Sequence, residues 1–167
     1  MRQAKQFIAI FFLVTVPALA SVVAFNFYID PYWMYGHSHS FNDHQVTVDE
    51  REQKTNQIFF QDFSYDTIIL GSSRTTYINQ NSFKGMKAYN YAVNNMSIRE
   101  YDTFLKFAKE NSDQKVRRVI IGMDFFKTSI SESERPASLV NYEKKVHQPF
   151  YRIRSLMSLD LFKYSLR

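Results

Sequence analysis

Residues 7–27 read FIAIFFLVTVPALASVVAFNF, twenty-one positions without a charged side chain. A helix needs roughly 20 apolar residues to cross a bilayer, and a helix in the core of a soluble protein is seldom apolar on every face. The run therefore predicts a transmembrane anchor at residues 7–28. Arg2 and Lys5 precede it and Asp30 follows it, so the positive-inside rule predicts a cytoplasmic tail at residues 1–6 and export of everything beyond the helix. Tyr28, Tyr32, Trp33 and Tyr35 supply the aromatic belt expected where the chain leaves the lipid. Pro17 is expected to kink the helix. A cleaved signal peptide is the alternative, because Ala18-Leu19-Ala20 has the small-x-small form of a cleavage site. Against cleavage after Ala20, the apolar run continues through Val22, Val23, Ala24, Phe25 and Phe27.

What remains of the 167 residues is enough for one modest domain and not two. The formal charge is +5, yet basic and acidic residues are interspersed apart from short clusters such as Arg117-Arg118 and Lys144-Lys145, which argues against nucleic acid as a partner. The absence of cysteine excludes disulfides, thiolate metal sites and a thiol nucleophile. Residues 29–47 form an irregular exit segment rich in turn formers. His37, His39 and His44 with Asp43 are metal-compatible residue types, but no pair has i, i+4 helical spacing, and they read as solvated side chains. No metal and no cofactor is expected.

The domain proper is expected at residues 48–167. Residues 48–60 mix charged and apolar positions compatibly with a helix, with Arg51 and Lys54 one turn apart. Residues 66–70 (DTIIL) read as a buried strand ending at Gly71, and residues 71–76 (GSSRTT) as the turn that follows. A short strand is expected at 88–93, a helix at 96–111 and a further buried strand at 116–126. A loop follows at 129–138, and residues 151–164 read as a final amphipathic helix. Strand, turn, helix and strand in this order predict an α/β fold with a parallel sheet. Three strands fall short of the usual four to six or so, so the sheet is expected to be partial and the chain truncated at its C-terminal side.

A serine on a strand-to-helix turn lies at the carboxyl end of the sheet, where ligands bind in such folds. On local grounds alone, Gly71-Ser72-Ser73 is also what a simple helix cap looks like. The wider pattern YDTIILGSSRT, then AYNYAVNNMS, then VIIGMDFF resembles the first three blocks of the SGNH (GDSL-like) hydrolase superfamily, and most its membrane-anchored, cell-envelope branch. The resemblance runs over about residues 48–128 and takes in DPYWMYG and DEREQK upstream. It implies a three-layer fold around a parallel sheet, and a serine esterase or O-acyl transfer activity on envelope glycans. Register places Ser73 in the nucleophile role and Ser72 where the family has aspartate. The oxyanion-hole positions fall at Asn95, which follows Asn90 in the second block, and at Asp124, where the family has asparagine.

Two departures change the chemistry expected. Asn95 can still donate its backbone N–H, since asparagine accepts unusual backbone angles. Asp124, when ionised, has only acceptors and would repel an oxyanion, so Asn94 becomes a substitute candidate, while Asp124 is expected to cap a helix or pair with Arg74. Arg74 is also a candidate for holding an anionic part of the substrate. The family's Asp-x-x-His block, which would supply base and orienting acid, has no counterpart. His147 has Lys144 three residues before it, and His37, His39 and His44 precede the sheet. A serine hydroxyl without a base is a poor nucleophile. The alternative expectation is therefore a non-catalytic envelope protein that binds a polysaccharide or an acyl-carrying partner.

Overall fold

The computed structural model describes residues 2–37, 41, 49–124 and 139–166. The first helix, α1 (Arg2–Ile29), runs unbroken through Pro17, where the Ser21 hydroxyl closes onto the Pro17 carbonyl at 2.8 Å. Its most apolar stretch is not buried in the rest of the protein at all. A core helix is thereby excluded, and the helix is long and apolar enough to span a membrane.

The chain then turns sharply. Asp30 and Trp33 adopt positive φ angles of 48° and 52°, and the Asp30 carboxylate accepts the amides of Met34, Tyr35 and Gly36 at 2.8, 2.8 and 3.2 Å. Burial pushes the Asp30 carboxyl above the ordinary carboxylate range while those amides oppose the shift. His39, His44 and Asp43 lie outside the described residues. Among the described residues no group of histidine and acidic side chains is gathered to hold a metal.

Helix α2 (Glu50–Phe60) starts where Asp49 caps the amides of Arg51 and Glu52. The sheet has three parallel strands in the order β2–β1–β3: β1 (Thr67–Gly71), β2 (Ala88–Asn90) and β3 (Arg118–Gly122). Central β1 is buried throughout, and covering Ile68, Ile69 and Leu70 contributes roughly 1.5–3 kcal/mol per side chain. Between β1 and β2 lie the single turn α3 (Ser73–Thr76) and a 3-10 turn at Gln80–Ser82. Before β3, Ser97 and Glu100 form a capping box that opens a 3-10 turn and then α4 (Tyr101–Glu110), whose Phe104, Phe107 and Ala108 are buried. The mixed α/β architecture with a parallel sheet is thus present.

Two expectations are corrected, and one helix is added. β3 is not a buried strand: Val119, Ile121 and the following Met123 are exposed on one face of the sheet, whereas β2, the other edge of the sheet, is buried throughout. A run of apolar residues cannot by itself tell a covered strand from an uncovered one. The expected helix at 151–164 is two, α6 (Tyr151–Leu156) and α7 (Leu159–Ser165), interrupted where the Ser158 hydroxyl takes the first amides of α7. An additional helix, α5 (Leu139–Val146), precedes them and packs on α2. Residues 129–138 and the end of the expected third strand, Phe125 and Phe126, lie outside the described residues.

Candidate functional site

β1 and β3 end level, and beyond the end of β2 at Asn90 the chain continues alongside β1. Gly71 pairs with Gly122, and the Val93 amide reaches the Gly71 carbonyl at 3.2 Å. The residues that come next, Ser72-Ser73, Asn94-Asn95 and Asp124, therefore leave the sheet at one edge. Both glycines are needed for the close approach of α3. A Cβ at either position would collide with the Thr75 side chain, which lies across the ends of β1 and β3.

Asn90 fixes the other side of that turn. Its amide nitrogen donates to the carbonyls of Thr75, Thr76 and Ile78 at 2.9, 3.2 and 2.9 Å, while its oxygen accepts the Ala92 amide at 3.1 Å. One buried side chain thus gathers the carbonyls at and just beyond the C-terminal end of a four-residue helix, where the Thr75 carbonyl also accepts the Ile78 amide at 3.1 Å.

Ser72 is buried and its hydroxyl donates to Asp124 Oδ2. Asp124, also buried, faces the Arg74 guanidinium at 3.8 Å through its other oxygen. The pairing with Arg74 is as expected, whereas the hydrogen bond from Ser72 was not anticipated. Arg74 itself is largely in solvent, so this ion pair adds little stability. Ser73 occupies the first position of α3 and is half-buried. Among the described residues its hydroxyl has no hydrogen-bond partner. His147 does not approach it: the ring packs on Phe59 at 4.7 Å, and Nδ1 lies 2.8 Å from the Glu143 carbonyl of its own helix.

Asn95 has φ +54°, the left-handed conformation that asparagine tolerates. The Asn94 amide donates to the Glu50 carboxylate, so that N–H is already engaged. Arg51 holds this loop, donating to the Asn94 and Asn95 carbonyls at 3.1 and 3.3 Å and pairing with the buried Glu100 at 3.0 Å. One turn along α2, Lys54 is buried with Nζ 2.6 Å from the Ala92 carbonyl. Burial holds its pKa down to about 8, with Glu50 acting in the opposite direction.

These contacts identify functional surroundings that the motif reading did not contain. Glu52, Gln53, Lys54, Thr55 and Asn56 form a consecutive buried polar stretch on α2. Gln53 donates to the Pro31 carbonyl, Thr55 hydrogen-bonds the Tyr91 hydroxyl and Glu52 accepts from Tyr151. The Arg51/Lys54 spacing was the available signal. A polar cleft of about 450 Å³ opens at the C-terminal end of α3, lined by Trp33, Lys54, Gln57, Thr76, Gln80 and Asn90 among others and by neither Ser72 nor Ser73. Its amides and ammonium suit a hydroxyl- or carboxylate-bearing ligand.

Compared with known proteins, the chain matches no family model, no curated protein and no solved structure. The functional reading therefore rests on the residues themselves.

Proposed function

We propose that the chain is an exported protein anchored by α1 with its N-terminus in the cytoplasm, and that its serine turn belongs to O-acyl ester chemistry on envelope glycans. The relation is the one that the resemblance to SGNH hydrolases implies, with Ser73 as the nucleophile. The observation that carries the reading is the convergence of Ser72-Ser73, Asn94-Asn95 and Asp124 at the carboxyl edge of a parallel sheet. Relative to the family pattern, the carboxylate of the first block and the neutral hydrogen-bonding group of the third have changed places, and Ser72 and Asp124 bond each other. For Ser73 to form an acyl-enzyme, its proton must pass to a base that the described residues do not contribute. The polar cleft beside α3 would hold the glycan. An uncleaved anchor is favoured because α1 continues without a break through Ala18–Ala20 and on to Ile29.

A second reading, a non-catalytic envelope binding protein, is favoured by one specific observation: Asp124 is engaged with Ser72 and Arg74 rather than with Ser73. The two are separated by labelling membrane-embedded protein with a fluorophosphonate probe and following hydrolysis of an acetyl ester. The esterase reading expects labelling that disappears in Ser73→Ala and persists in Ser72→Ala. An unlabelled protein that retains an envelope polysaccharide would establish the binding reading in its place.

A further inference from the structure

The C-terminal helices are built onto the last turn of α1. Asn26, the polar residue in the outer part of the apolar run, is completely buried. Its amide nitrogen donates to the Leu156 carbonyl at 2.8 Å, and its oxygen accepts the Ser165 hydroxyl at 2.9 Å. Phe25 meets Phe162 edge-on at 5.8 Å, and Tyr32 lies 5.9 Å from Tyr164. Helices α6 and α7 therefore clasp α1 at a defined height. At 1.5 Å per residue, Phe25 and Asn26 lie within about 3 Å of the end of a 21-residue span that matches a hydrocarbon core of roughly 30 Å. Whatever is packed against them sits at the level of the lipid headgroups.

The outward side of this clasp is apolar. Phe150, Ile153, Met157, Leu159 and Leu166 are each at least half exposed, far more than water-facing helices of this size require. The charged side chains among them are Arg152, Arg154, Lys163 and Asp160, the last two paired at 3.3 Å. Residues 150–166 thus carry three basic side chains against one acidic one, an excess of positive charge on the clasp. An apolar stripe with flanking basic residues is the composition of a helix that lies in the interface of an anionic bilayer.

We propose that α6 and α7 are an interfacial membrane element. Phe150, Ile153, Met157, Leu159 and Leu166 enter the leaflet that the C-terminal end of α1 leaves, and Arg154 and Lys163 meet its phosphates. The occupant of this apolar face is lipid, because the face is continuous with the span of α1 and its charge complements anionic headgroups. The domain is thereby held against the membrane at two points, with the sheet in a restricted orientation above it. The inference rests on the anchoring of α1 proposed above and makes a separate statement about α6 and α7.

The chain has no cysteine, so single cysteines can be introduced into the full protein at Val14→Cys, Met157→Cys, Leu159→Cys and Tyr77→Cys, all exposed positions. Each is labelled with an environment-sensitive NBD fluorophore in nanodiscs of phosphatidylethanolamine and phosphatidylglycerol, with and without brominated lipid. Emission at 14, 157 and 159 is expected to shift to the blue and to be lost with brominated lipid, while emission at 77 stays water-like. If 14 is quenched but 157 and 159 behave like 77, the interfacial element is overturned and the anchor stands. If 14 is not quenched, the anchor itself fails and this inference with it. Blue-shifted emission at 157 and 159 that brominated lipid leaves intact would mean that protein, such as a second copy of the chain, covers the face, and would equally overturn it.

Discussion

Replacing Asn90 tests whether the serine turn is held from β2 rather than by its own short helix. In Asn90→Ala, four hydrogen bonds are lost together: three from the amide nitrogen to the carbonyls of Thr75, Thr76 and Ile78, and one from the Ala92 amide to the side-chain oxygen. The buried Ala92 amide loses its partner, at about 1–3 kcal/mol, whereas the Thr75 carbonyl keeps the Ile78 amide at 3.1 Å and loses less. The other two carbonyls are partly accessible and lose less. The expected destabilisation is about 3 kcal/mol. Asn90→Asp keeps the shape and changes only the donor. An ionised carboxylate has no proton for the three carbonyls and repels them, whereas the neutral acid supplies one. The folded-state pKa of that aspartate is therefore raised above its unfolded value of about 3.9. The neutral form's contribution is fully present below pH 4 and is lost as pH rises towards the folded pKa, at about 1.4 kcal/mol per pH unit. Urea unfolding of the full chain in nanodiscs can be followed through Trp33, the single tryptophan, which lines the same cleft as Asn90. A loss below about 1 kcal/mol in Asn90→Ala, or a deficit in Asn90→Asp that does not change between pH 4 and 7, would refute the reasoning.

Two further perturbations probe the surroundings of the site. Lys54 has its pKa held down to about 8 by burial, against roughly 10.4 in the unfolded chain; between those values the unfolded state binds the extra proton, so stability should rise with pH across the window by up to about 3 kcal/mol. Urea titrations at pH 7.5 and 10.5 should show this rise in the native protein and not in Lys54→Met, and parallel behaviour of the two would contradict the burial argument. Asn26→Ala removes the two hydrogen bonds that fasten α6 and α7 to α1, at about 2 kcal/mol; hydrogen exchange should quicken over residues 151–165 while β1 stays protected, and unchanged exchange there would show that the clasp does not depend on Asn26.

The elements that depend on local pattern were legible in the sequence. The long apolar helix α1 followed from an uncharged run of membrane length, and β1 from a short apolar run closed by Gly71. The serine turn followed from the residues after it. What the pattern could not reveal was which faces are covered. Val119, Ile121 and Met123 look as apolar as Ile68 and Leu70, yet the face they point from is exposed in β3 while β1 is buried throughout. Periodicity records what a segment could bury, and only the tertiary arrangement decides what it does bury.

The candidate site shows the same limit in its polar residues. Ser73, Arg74, Asn95 and Asp124 were named from register alone, and the parallel sheet carries them to one edge. The partners that fix their roles come from elsewhere in the chain. Arg51 and Glu50 hold the Asn94-Asn95 loop from a helix more than forty positions earlier. Ser72, standing where a family aspartate is expected, gives its proton to Asp124, which stands where an asparagine is expected. Either residue read alone looks like the loss of a catalytic group. Together they form a complementary donor and acceptor, because a carboxylate at Asp124 can be buried only with a donor beside it. The pairing leaves a carboxylate where the resemblance would put the neutral donor that an oxyanion needs. On the reading proposed above, turnover at the serine turn would require a base delivered to Ser73, since Asp124 is engaged by Ser72 and Arg74.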